Sequence, residues 1–247
     1  KDGANLELRA PRFYAPQAGQ ISFAGENGVK FAAAIVKQGE EEWGDLVAAI
    51  GPEGGPEVQL LKMRLQEQSE VLLESSNDPE ALRRVGEEAR FIRQDIARVG
   101  KKYRPAMLQR RLGKMSAVYN RIARAHAEKS ENARFDNHAT KIQSIIDAKD
   151  ASGYADADLH LSEMRDLFFI VAWRDPGYVS AWFKRLSGEA YLFPDAKEFK
   201  DLVRSGEEIA ASGDGTGLRD VVKRMLSARI ALGANDAAAE LATIIKV

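Results

Sequence analysis

Cysteine is absent from the 247-residue chain, and histidine occurs only three times. The missing cysteine excludes disulfide scaffolds, thiolate-ligated zinc, iron–sulfur clusters and thiol nucleophiles. No apolar run reaches the roughly 18 residues that a membrane-spanning helix needs, so no membrane partner is expected. Neither sign of charge dominates: 36 Lys and Arg face 37 Asp and Glu, for a formal net charge of −1. Apolar residues make up 45% and charged residues 30%. That composition excludes collagen-like and low-complexity chains and leaves a globular protein, expected in the cytoplasm. Lys1 to Asn5 carry no apolar signal core, and the chain opens on Lys rather than Met. It therefore reads as a piece of a longer protein, with Leu241 to Val247 as the end of a final helix and a natural C-terminus.

What is present is mostly helical punctuation and period. The exception is the start. Gln20 to Ala24 alternates polar and apolar residues, Asn27-Gly28 follows, and Val29 to Val36 is apolar-rich. Asn-Gly between two such runs signals a β-hairpin, because a type I′ turn needs positive φ at both central residues. Gly51-Pro52-Glu53-Gly54-Gly55-Pro56 breaks the chain. Beyond it Val58, Leu61, Leu65, Gln68 and Leu72 step at helical spacing. Asp78-Pro79 opens a further helix, with an N-cap acceptor before a proline in the first turn. Its seam is Leu82, Val85, Ala89, Ile92, Ile96, Val99 and Tyr103. From Pro105 the seam continues through Leu108, Leu112, Met115, Tyr119 and Ile122, turns polar over 126–134, and resumes at Phe135, Ala139, Ile142 and Ile146. Residues 114–152 hold no internal Pro or Gly, so one helix of about 65 Å or two helices kinked near 126–134 both fit. Gly153 to Asp158 reads as a hinge. Shorter helices follow over 159–173, 178–186, 193–211, 218–232 and 234–245.

The near-zero net charge conceals segregation. Residues 1–82 carry −7, residues 83–124 carry +10, and residues 135–247 carry −4. A basic block can bind phosphate backbones or an acidic protein. A solvated face, or one neutralised by acidic segments within the molecule or in a dimer, is the favoured reading, because charge runs alone are unspecific. No aromatic residues interleave the block as single-strand readers require; Tyr103 and Tyr119 sit on seam positions and are expected in the core.

Catalytic and metal motifs are few. Gly51 to Gly55 is similar to the cofactor loop of knotted RNA methyltransferases, but that fold needs alternating strands and helices first, and only about 50 residues precede it. It reads as a linker. His126, His138 and His160 make no i, i+4 pair, and they are expected to be surface or satisfied histidines. Asp147, Asp150, Asp156 and Asp158 lack calcium-loop spacing. Glu40 to Glu42 are read as first-turn charge on a short helix. No Gly-x-Ser-x-Gly elbow or phosphate loop occurs. The aromatic cluster from Phe168 to Phe199 reads as core, or as a groove for an apolar peptide.

One stretch carries a family resemblance. Phe193-Pro194-Asp195, Leu202, Gly206, Ile209, Gly213-Asp214, Leu218-Arg219, Val221-Val222 and Leu226 resemble a helical hairpin in the C-terminal region of bacterial DnaK-like heat-shock chaperones. The resemblance implies a substrate-binding or regulatory tail of a chaperone-type ATPase. The family's substrate-binding sandwich needs more strands than this chain offers, so no cleft residue is carried over.

The expected fold is mostly α: a small β-hairpin region over 1–55, a long-helix, coiled-coil-like bundle over 56–152, and a C-terminal helical bundle over 153–247. The expected function is a non-catalytic interaction region of a chaperone-like protein, without cofactor or metal. A stand-alone adaptor or dimerisation scaffold is the alternative, and RNA binding through residues 83–124 is the least favoured. A protein or peptide partner, or a second copy of the chain, would meet Arg90, Arg93, Arg110, Arg111, Trp173 and Trp182.

Overall fold

The computed structural model describes residues 23–51, 55–75, 77–149 and 151–232. Among them it forms nine α-helices and no strand: α1 Gly25–Ile50, α2 Gly55–Glu74, α3 Pro79–Lys102, α4 Arg104–Val118, α5 Lys129–Ala148, α6 Tyr154–Ala172, α7 Pro176–Ser187, α8 Ala196–Ser212 and α9 Gly215–Ala228. None is long and apolar enough to cross a membrane.

The expected hairpin needs correction where it is described. Its first arm lies mostly outside the described residues. Asn27, Gly28 and the second arm, 29–36, belong to α1. Gly28, Phe31, Ala32, Ile35, Val36 and Gly39 are buried, and their spacing is the i, i+3, i+4, i+7 of one helical face. Gly28 serves a close approach rather than a turn, since a Cβ there would lie 2.1 Å from the Phe23 carbonyl oxygen.

Aspartate N-caps set four of the helix starts. Asp78 accepts from the backbone N–H groups of Glu80 and Ala81, as its place before Pro79 predicts. Asp195 and Asp214 do the same for α8 and α9, and Asp175 accepts from the Gly177 N–H at the start of α7. Gly213 closes α8 at φ 77°, a left-handed conformation that glycine adopts without a Cβ clash.

The 105–149 stretch is two helices. α4 runs into a π-turn at Tyr119–Ala123 and a 3₁₀ turn at Arg124–His126, and α5 restarts at Lys129. Glu128 caps the restart reciprocally with Glu131, whose carboxylate accepts from the Glu128 N–H at 2.8 Å. The expected hinge at 153–158 is also revised: a 3₁₀ turn ends at Gly153, and 154–158 is the first turn of α6.

α1 lies against α2, α3 and α4, and α4 reaches across to α5 and α6. α5 packs on α6, α8 on α9, and α7 on α9. One continuous core extends from Phe31 and Ile35 through Leu82, Leu108, Tyr119, Ile142 and Met164 to Leu186, Val222 and Met225. A smaller core of Leu46, Val58, Leu61, Leu65, Ile92, Ile96 and Val99 joins the far ends of α1, α2 and α3. The Trp43 indole N–H donates to the Val58 carbonyl at 3.1 Å beside it. Tyr119 is fully buried as its seam position predicts, whereas Tyr103 is 39% exposed at the α3–α4 junction, where the helical phase breaks.

Candidate functional site

The basic face of α3 and α4 is stitched to acidic residues of its own chain. Arg93 pairs with Glu42 at 2.7 Å, Lys114 with Asp45 at 2.6 Å and Lys102 with Glu57 at 2.6 Å. Arg110 reaches Asp45, Arg104 and Arg111 reach Asp158, and Arg124 reaches Asp136. Arg83 and Arg98 pair along α3 itself. The −7 segment therefore supplies α1 and α2 carboxylates to the +10 block, which joins sequence segregation to tertiary neutralisation.

The six predicted partner-binding residues are scattered by the fold. Arg93 is largely enclosed; it also donates to the Leu232 carbonyl at 3.3 Å, so it ties α3 to α1 and to the far end of the described chain. Arg90 lies over the Phe31 ring, and burial, then neighbouring Arg93, pushes its pKa down. Arg110 and Arg111 are exposed on α4 and face different carboxylates, Asp45 and Asp158. Trp173 is half-buried at the end of α6. Trp182 is only 7% exposed, inside the core with Arg185 over its ring. Most of the aromatic cluster is core: Phe168, Phe169, Phe183 and Phe193 are buried, and Phe168 meets Tyr178 edge-on at 5.9 Å.

A surface that the sequence did not single out lies between the C-terminal half of α2 and the N-terminal half of α3. It is a cleft of about 590 Å³. Val71, Ala81, Val85 and Phe91 form its apolar lining, and Asp78, Arg84, Glu87 and Glu88 its charged rim. Phe91 is 58% exposed, and it stands between Arg90 and Arg93, so the expectation that no aromatic residue interleaves the basic block is corrected at this one position. Arg64 of α2 holds the two helices together, donating to Glu88 at 2.6 Å and Asp95 at 2.7 Å. These carboxylates, Glu88 first, raise the Arg64 pKa, so the clip stays charged. Phe91 falls one position from the buried Ile92 seam, and that flank is the only sequence signal the cleft had.

Two polar features lie elsewhere. At the α4–α5 corner, Tyr119 stacks on Phe135 with centroids 3.7 Å apart and donates to Asn132 at 3.0 Å. Burial raises its pKa. Arg174 of the α6–α7 turn binds Glu131 bidentately at 2.7 and 2.8 Å. These partners explain where α5 restarts. On the α5–α6 pair, the Nδ1 atoms of His138 and His160 are 3.1 Å apart. A cleft of about 470 Å³ opens beside His160, lined also by Thr140, Lys141, Ser144, Ile145, Asp156 and Leu159. The two histidines are 22 residues apart in sequence, so no local motif could pair them.

No protein-family model matches the chain, and no curated protein or solved structure shows significant similarity to it.

Proposed function

We propose that the chain is a non-catalytic, cytoplasmic protein-interaction module of the chaperone-like type, and that the α2–α3 cleft takes an apolar peptide segment. The observation that carries this reading is Phe91, exposed beside an apolar floor and a rim of three carboxylates and one guanidinium. An apolar centre within a charged rim is the usual anatomy of a protein-binding patch. An exposed aromatic at such a place acts as an anchor.

The test is anisotropy of labelled peptides with one central Leu or Phe, against a control series with Ser at that position. The apolar series binds more tightly, and Phe91→Glu weakens it about tenfold or more, equivalent to about 1.4 kcal/mol. Equal binding of the two series, or no effect of Phe91→Glu, refutes the assignment. A dimerisation scaffold is the second reading, favoured by Leu60, Met63 and Leu73, all exposed on α2. It predicts concentration-dependent sedimentation that Met63→Glu abolishes. RNA binding draws the least support, because nine of the thirteen basic residues in the block have carboxylate partners in the chain.

A further inference from the structure

Two of the three histidines in the chain meet through their Nδ1 edges across α5 and α6, at a spacing that suits a shared ion. With imidazole–metal bonds of about 2.0–2.1 Å, nitrogens this far apart subtend an angle of about 100° at a common ion. That lies between the right angle of a square-planar cis pair and the tetrahedral angle. The ring planes are 55° apart.

We infer that His138 and His160 form a two-histidine site, through their Nδ1 atoms, for a divalent first-row transition metal ion of the Cu²⁺, Ni²⁺ and Zn²⁺ group. This reverses the sequence expectation of no metal. Imidazole nitrogen suits these ions, and affinity rises from Ni²⁺ to Cu²⁺ and falls again at Zn²⁺. Among the described residues no third His, Cys, Asp or Glu converges on the pair. Water, or a donor from another molecule, completes the coordination in the open cleft beside His160.

The proton balance is simple. In the metal-free neutral pair one Nδ1 carries a proton and donates to the other. On metal binding that proton moves to Nε2 of the same ring through solvent, and no net proton leaves. Below the histidine pKa range the ion instead displaces a bound proton, so affinity falls with acid. Burial, then His160, lowers the His138 pKa, which favours the neutral ligand form. Charges around the pair are mixed: Arg134 and Lys141 of α5 oppose a cation near His138, Glu163 of α6 favours one, and Asp156 lies on the cleft wall.

The experiment uses the untagged full chain, stripped with chelator, and titrates Cu²⁺, Ni²⁺ and Zn²⁺ calorimetrically. One ion binds per chain in the order Cu²⁺, Ni²⁺, Zn²⁺, and either His138→Ala or His160→Ala weakens binding about tenfold or more, while His126→Ala leaves it unchanged. Electron paramagnetic resonance of the wild-type Cu²⁺ complex supplies a readout independent of any variant's folding, with coupling to two imidazole nitrogens. No saturable binding, coupling to fewer than two nitrogens, or equal binding by wild type and either variant overturns the assignment.

Discussion

A single substitution, glycine to alanine, should have opposite effects at two helical positions. Gly206 lies in the interior of α8, buried against α7. A Cβ there would sit 2.1 Å from Cε2 of Phe183, 2.5 Å from Cζ and 3.0 Å from Cδ2. Carbon atoms prefer about 3.5–4.0 Å, so the ring would have to retreat by roughly 1.5 Å. Phe183 is itself in the core, and small-to-large changes in a packed core cost about 1–3 kcal/mol. Alanine's helix propensity returns about 1 kcal/mol, which the clash exceeds. Gly206→Ala is therefore expected to destabilise by up to about 2 kcal/mol, a few degrees in melting temperature for a chain of this size. Gly113 in α4 has no atom within 4 Å of its added Cβ. There the propensity acts alone, and Gly113→Ala is expected to stabilise by about 0.5–1 kcal/mol. Urea denaturation at unchanged m-value reads both effects as midpoint shifts. A stabilised Gly206→Ala would show that α7 and α8 do not pack as described; a destabilised Gly113→Ala would show that α4 is not helical there.

Other consequences are equally direct. Asp78→Ala removes the acceptor for two N–H groups at the start of α3 and should cost about 0.5–2 kcal/mol, with Asp78→Asn retaining most of the stability in the same melts. The folded-state pKa of His138 is below its unfolded value, so the unfolded chain binds more protons as pH falls from about 7 towards the folded pKa. Stability should decline over that window, and His138→Gln should flatten it. An unchanged pH profile in that variant would remove His138 from the account.

Where local chemistry dominates, the sequence was legible. Asp before Pro at 78–79 marked a helix start because the cap is made within three residues, whereas the caps at Asp175 and Asp214 start α7 and α9 two to three residues earlier than the apolar spacing alone suggests. The seam Leu82 to Val99 was legible because one face of α3 is buried along most of its length. α1 was misread where it is described. The Asn-Gly pair outweighed a run of Ala32, Ala33 and Ala34 that favours helix, and the helical spacing of Phe31, Ile35 and Gly39 was in the same residues. The break between α4 and α5 had no Pro or Gly to announce it. Tyr119 stacking on Phe135 and the Arg174–Glu131 pair hold it in place, and those partners come from α5 and the α6–α7 turn.

The two candidate sites divide in the same way. Phe91 beside the Ile92 seam was visible as an apolar residue out of phase, but only Arg64 bridging Glu88 and Asp95 makes its surroundings a cleft. His138 and His160 meet only because α5 and α6 pack against each other. The sequence by itself determined the helical class, the Asp78 cap and the charge segregation, since each depends on neighbours within about a turn of helix or on composition. Tertiary structure alone decided which carboxylates, Asp45, Glu42, Glu57 and Asp158, meet the basic block, that α4 and α5 are separate helices, and that two distant imidazoles share one edge. Those outcomes depend on which helix faces meet, which the linear order of residues leaves undetermined.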